Sequence, residues 1–210
     1  NQVQIKVINQ CSYDLTIAKL TNEQSKGEQA TVKAGRQKVY PLPSNWQGRF
    51  FGRKTCSGVA CTIAGASEAV PPASLAEFTF RGWGGIDYYD ISLVDGFNLP
   101  LKITPINGSG SDASEKYKCG SPSCKSLPTC AKEFQVLKNG KFDSCLSACS
   151  KFNTDEYCCR GAFGTPDKCV ANQYSKSVKA VCPDAYSFAY DDHSSTYSCV
   201  ASGYAITFCP

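Results

Sequence analysis

Methionine is absent from the 210 residues, and histidine occurs once, as His193. A chain that opens at Asn1 without an initiator residue reads as a secreted, extracellular protein whose signal peptide has been removed. Any Ser-His-Asp or Cys-His nucleophile would have to use His193, and no G-x-S-x-G stands in the sequence. His193 sits in the polar run Asp191-Asp-His-Ser-Ser195, the setting of an exposed bystander. No stretch reaches the roughly eighteen apolar residues of a membrane-spanning helix, so no transmembrane segment is expected. C-x-x-C does not occur, which argues against zinc ribbons and thioredoxin-like sites. Gly108–Ala113 matches a loose G-x-G-x-x-A, but it lies among Ser, Asp and Lys and reads as a surface loop rather than a dinucleotide cradle. No metal and no other cofactor is expected.

What the chain has in quantity is cysteine. Fourteen residues, an even number, point to a secreted protein stapled by up to seven disulfides, with the connectivity left open by sequence alone. Cys158 and Cys159 are adjacent, so they should reach different partners and pin one backbone point in two directions. Apolar residues at 42% and charged residues at 19% describe a folded chain rather than a disordered one.

The first half alternates with the period of half-buried strands. Val3, Ile5 and Val7 alternate with Gln and Lys, and β-prone runs follow at Leu15–Ile17, Ala30–Val32, Lys38–Leu42 and Arg49–Phe51. In Leu75–Phe80, Ala76, Phe78 and Phe80 share one face and Glu77 and Thr79 the other; in Asp90–Asp95, Ile91 and Leu93 oppose Asp90 and Ser92. Such alternation suggests a sheet with one face in the core and one toward solvent. Tyr204–Phe208 is again strand-like. Between Cys119 and Cys182 the cysteines crowd among Gly, Pro, Ser and Lys, a loop-rich module in which staples replace apolar bulk. A short helix is expected there, within Phe142–Phe152 and the following Asp155–Cys159.

Net charge is +4 and unevenly spread: residues 1–60 sum to +6, residues 61–112 to −4 and residues 113–210 to +2. An acidic segment inside a basic protein suggests a cleft with its own field. Glu68, Asp87 and Asp112 read as solvated loop charges, whereas Glu77, Asp90 and Asp95 sit on, or just after, the polar faces of strands. Scattered lysines with no aromatic interleaving argue against a nucleic-acid partner. Asn107-Gly-Ser is a glycosylation sequon.

Several stretches carry a resemblance that spans nearly the whole chain. They are Gly48-Arg-Phe-Phe-Gly-Arg53, Ser74-Leu-Ala-Glu-Phe-Thr79, Asp87-Tyr-Tyr-Asp-Ile-Ser-Leu-Val-Asp-Gly-Phe-Asn-Leu-Pro100, Glu156-Tyr-Cys-Cys159, Cys182-Pro-Asp-Ala-Tyr-Ser187 with Tyr190-Asp-Asp192, and Ile206-Thr-Phe-Cys-Pro210. In these the chain resembles the thaumatin-like, pathogenesis-related proteins. The resemblance implies a mainly β fold: a flattened antiparallel β-sandwich with a disulfide-rich loop domain containing a short helix. It places residues 1–53, 62–118 and 183–210 in the sandwich, 54–61 in a reduced small loop domain and 119–182 in the disulfide-rich domain. It implies the bridges Cys11–Cys209, Cys56–Cys61, Cys119–Cys199, Cys124–Cys182, Cys130–Cys145, Cys149–Cys158 and Cys159–Cys169. Family members commonly carry two bridged loops after the Gly-Arg motif. Here Lys54–Cys61 supplies one, so the small loop domain is expected to be reduced.

The resemblance also implies a cleft lined by Arg49, Glu77, Asp90, Asp95 and Asp191, with Asp191 against Asp192 the least settled choice. Paired carboxylates are the minimum for glycoside hydrolysis, one kept protonated as acid and one ionised as nucleophile or base. Glu77 is assigned as acid and Asp95 as nucleophile or base. Arg49, Asp90 and Asp191 are expected to bind substrate, and Tyr88, Tyr89 and Phe97 to offer faces for stacking unless they belong to the core. Three readings follow: a β-1,3-glucan-active protein with weak endo-β-1,3-glucanase turnover, a non-enzymatic antifungal protein that binds fungal wall polysaccharide or perturbs membranes, and an inhibitor of a secreted hydrolase. A monomer is expected in each.

Overall fold

The structure, a computed structural model, describes residues 2–24, 27–54, 72–110 and 114–210. Strand β1 (Gln2–Asn9) lies between β14 (Gly203–Phe208), to which it is parallel, and β4 (Gln37–Pro43), to which it is antiparallel. Beyond β14 come β9 (Leu101–Ile106) and β10 (Ser123–Cys124), completing a five-stranded sheet. A six-stranded sheet runs in spatial order β13 (Tyr197–Cys199), β7 (Asp87–Ser92), β6 (Leu75–Thr79), β5 (Gln47–Lys54), β2 (Leu15–Thr21) and β3 (Glu28–Val32). Apart from β1 with β14, the described ladders are antiparallel. That pair comes from opposite ends of the chain, so no tight connection constrains its direction.

The alternation read from the sequence decides which side chains meet between the sheets. Val3, Ile5 and Val7 are buried on β1, and Ile206 and Phe208 on β14. Phe78 and Phe80 bring their rings 5.6 and 5.8 Å from that of Tyr204 on the facing sheet. With that face of β6 committed to the core, Glu77 and Thr79 must lie on the outer face of the six-stranded sheet. At one end this outer face is covered: Phe51, Leu75, Ala18 and Ala73 form a second buried cluster. At the other end it stays open.

Asp87 departs from the expectation of a solvated loop charge. It is only 5% exposed, accepting from the Tyr204 hydroxyl at 2.7 Å and from the Arg81 backbone N–H at 2.9 Å. The reason is positional: as the first residue of β7 it shares the inward face with Tyr89 and Ile91. Glu68 and Asp112 lie outside the described residues.

A small sheet of β11 (Gln135–Lys138), β12 (Lys141–Leu146) and β8 (Gly96–Phe97) joins the disulfide-dense segment to the sandwich. Helices α1 (Ala148–Phe152) and α2 (Asp155–Cys158) follow, capped by Ser147 and Thr154. The helix expected over 142–152 therefore begins only at Ala148, because Lys141–Leu146 is drawn into ladders with β11 and β8. Helix α3 (Gln173–Val181) was not foreseen. Its capping box uses Asn172 with Ser175, where Glu or Gln would carry the usual sequence signal.

Six disulfides join Cys11–Cys209, Cys119–Cys199, Cys124–Cys182, Cys130–Cys145, Cys149–Cys158 and Cys159–Cys169, the same partners that the resemblance implies. Cys158 closes the last turn of α2, while Cys159 takes the left-handed cap (φ 55°), which turns the two sulfurs to different partners. Cys56 and Cys61 lie outside the described residues.

Candidate functional site

Arg49, Glu77 and Asp90 come from three strands but occupy one row. The β5–β6 register sets Arg49 opposite Glu77, and the β6–β7 register sets Glu77 opposite Asp90. Thr79 and Tyr88 pair in the same hairpin, closer to its tip. With Asn22 and Gly48, these side chains line a groove of about 200 Å³ on the open outer face. Position 48 has no room for a side chain, since a Cβ there would run into the Leu20 carbonyl and the buried Trp46 ring. Among the described residues Arg49 makes no ion pair with Glu77, so its guanidinium is not neutralised by a direct contact.

Carboxyl groups on directly opposed strand positions repel when both are ionised. Here the repulsion is relieved by a proton. Burial pushes the Asp90 carboxyl well above the usual aspartate value, and the charge of Glu77, a hydrogen bond between the two carboxyls and the charge of Asp192 push it further. Asp90 Oδ1 is buried and receives no hydrogen bond from the protein. Asp90 therefore holds its proton to higher pH than an ordinary aspartate.

The sign of the stability effect follows from that direction. The contribution of Asp90 is complete below about pH 3.8 and is lost as pH rises through its elevated folded-state value. Denaturant unfolding followed from about pH 4 to about pH 8 should show Asp90→Asn gaining stability relative to wild type as pH rises. Two curves with the same pH slope would contradict the retained proton.

The remaining predicted residues fall elsewhere. Asp95 is half-buried; its backbone carbonyl accepts from Ser147 N–H and the Ser150 hydroxyl, and its side chain does not line this groove. Asp191 is a brace: one carboxylate oxygen lies 2.9 Å from Lys179 Nζ and accepts from the Ser187 N–H at 3.0 Å and hydroxyl at 2.8 Å. Its neighbour Asp192, which accepts from the Tyr186 hydroxyl at 2.7 Å, is the one whose charge acts on Asp90. Tyr89 and Phe97 are buried in the core, while Tyr88 does line the groove. Asn107 is exposed and donates to the Ser202 hydroxyl at 3.3 Å.

Asn22 and Thr79 were not singled out from the sequence, and Asp192 was named only as the alternative to Asp191. Thr79 was legible, since it alternates in step with Glu77. Asn22 follows β2 and is brought in only by its backbone bond to Gln47.

A larger cavity of about 400 Å³ lies under Leu93–Phe97 and α3, walled by Phe134, Leu146, Tyr157 and Tyr174. Its serines and asparagine are largely engaged: Asn172 and Ser175 in the α3 cap, Ser147 in the α1 cap, Ser177 on Gln173 O and Ser187 on Asp191. Charge and exchangeable protons are concentrated in the smaller groove.

The model of the thaumatin family matches residues 9–210. The chain belongs to the thaumatin family. It is 40% identical to a pathogenesis-related thaumatin-like protein 3.5 of Cryptomeria japonica, the match covering 97% of this chain and 88% of that one. It is 42% identical to pathogenesis-related protein 5 of Arabidopsis thaliana, over 88% of this chain and 79% of the relative. A third relative, 40% identical over 96% of this chain and 88% of its own length, is a glucan endo-1,3-beta-glucosidase of Prunus avium. Among solved structures, a laminaripentaose-producing beta-1,3-glucanase in complex with laminaritetraose shares the fold, with a TM-score of 0.65 at 12% identity and coverage of 100% of this thaumatin-family chain and 99% of that one.

Proposed function

We propose that this thaumatin-family protein is a secreted defence protein that binds β-1,3-glucan in the Arg49–Glu77–Asp90 groove. The observation that carries the reading is the row itself: a guanidinium and two opposed carboxyls, aligned by register on an open sheet face. Sugar hydroxyls both donate and accept, and this row offers both functions side by side. Relatives of about 40% identity are named as pathogenesis-related proteins, and one as a glucan endo-1,3-beta-glucosidase, which supports the defence role and the ligand class.

Slow hydrolysis is a second reading, and one observation favours it: a carboxyl that holds its proton is what a general acid requires. In that reading the Glu77–Asp90 pair protonates the leaving oxygen and Asp95 acts as nucleophile or base. Binding stands first because Asp95 is not among the groove's lining side chains.

Sedimentation with insoluble β-1,3-glucan and release of reducing ends from soluble glucan test both. The wild type should bind, and Glu77→Gln and Arg49→Ala should each weaken binding by about tenfold. Reducing ends released by wild type but not by Glu77→Gln would make the protein a glucanase. A wild type that does not sediment with glucan would discard the groove reading.

A further inference from the structure

Of the two tryptophans, Trp46 is buried, whereas Trp83 is 86% exposed. An indole held this far in water is a large apolar surface left without protein contacts. It makes no hydrogen bond through its ring among the described residues.

The turn that carries it is not loose. Gly82 N–H donates to Ile86 O at 2.8 Å and Gly85 N–H to Gly82 O at 3.0 Å. Arg81 N–H donates to the buried Asp87, and the Tyr88 hydroxyl donates to Trp83 O at 3.0 Å. Arg81, Gly84 and Gly85 all take positive φ, at 47°, 72° and 73°, which bends the chain tightly enough to present one side chain at the tip. The turn is also seated on the groove. A Cβ at Gly82 would meet Tyr88 Cδ2 at 3.1 Å and Thr79 Cγ2 at 3.3 Å, and both residues line it. Beyond the Thr79–Tyr88 pair the hairpin has only this turn, so Trp83 stands at the tip end of the row that begins with Glu77 and Asp90.

We propose that Trp83 is a stacking platform for a pyranose ring, a subsite that extends the Glu77–Asp90 groove for longer β-1,3-glucan chains. The ring of a β-linked glucose carries its axial C–H bonds on its faces and its hydroxyls around its rim. A flat, exposed indole matches the face, and the polar row beside it matches the rim. With the backbone already held by its turn, only the side-chain rotamers of Trp83 remain to be ordered when the sugar arrives. The proposal rests on the glucan-binding reading of the groove and adds the residue that sets preference for chain length.

Calorimetric titration with β-1,3-linked glucose oligomers of two and six units tests it. Trp83→Ala should bind the hexamer about tenfold more weakly than wild type and the dimer unchanged, and Trp83→Phe should recover most of the loss. Because Trp46 is only 5% exposed, acrylamide quenching reports mainly on Trp83, and saturating hexamer should protect it in the wild type. Hexamer binding by Trp83→Ala equal to that of wild type, or an indole equally quenchable with sugar bound, overturns the platform and leaves the groove reading standing. A wild type that binds neither oligomer overturns both. The substitution lies on an exposed turn side chain, so loss of fold is not a competing explanation.

Discussion

Unfolding of a Cys11→Ala/Cys209→Ala protein in denaturant should show a loss of about 4–5 kcal/mol against wild type under non-reducing conditions. The bridge spans 198 residues of sequence, so in the chain-entropy account it restricts the unfolded chain more than any other described disulfide. It also closes the edge of a polar knot. Asn9, fully buried at the end of β1, donates to Tyr13 O and Val32 O and accepts from Cys11 N–H. Parallel pairing of β1 with β14 brings the two termini side by side, and the cystine locks that register just past its last pair, Asn9 with Phe208. Removing both cysteines leaves no lone thiol to scramble. A loss below about 1 kcal/mol would show that the ladder and the knot hold the termini without the covalent link.

Asp87→Ala should cost about 3 kcal/mol. Tyr204 is fully buried, and its hydroxyl is held above the ordinary tyrosine range by burial, then by its bond to Asp87. Deleting the carboxyl removes the 2.7 Å acceptor from that hydroxyl, leaving it only the longer 3.4 Å contact to Cys199 O, and strips the Arg81 N–H of its acceptor at the base of the Trp83 turn. A buried donor without a partner costs more than a hydrogen bond contributes. The double variant Asp87→Ala/Tyr204→Phe should therefore be less destabilised than the sum of its parts, because the poorly paired hydroxyl is gone. Additivity in that cycle would contradict the proposed coupling. Asp87→Asn, which keeps one acceptor oxygen, should fall between wild type and Asp87→Ala.

Much of the fold was legible because a strand repeats every two residues. The alternation Glu77, Phe78, Thr79, Phe80 is enough to say which face is core, and the structure buries Phe78 and Phe80 against Tyr204. Asp87 shows where period alone falls short. It looked like a loop charge because its burial depends on a tyrosine more than a hundred residues away (the bond spans 117). Asp191 and Asp192 are adjacent in a turn with no period to separate them; Lys179 on α3 takes the first, leaving the second to act on Asp90. Residues 142–146 were read with the helix because nothing local reveals that β8 supplies a partner strand.

By itself the sequence determined the family, the strand faces, the cysteine inventory and the residue types available to a groove, since all of these are written in local order and composition. Only the tertiary structure decided that Glu77 and Asp90 are directly opposed across two strands, that Asp191 braces rather than lines, and that Trp83 is exposed in the turn beyond the Thr79–Tyr88 pair. The reason is physical: repulsion, desolvation and hydrogen bonding depend on distance through space, and register between strands far apart in the chain is what sets that distance.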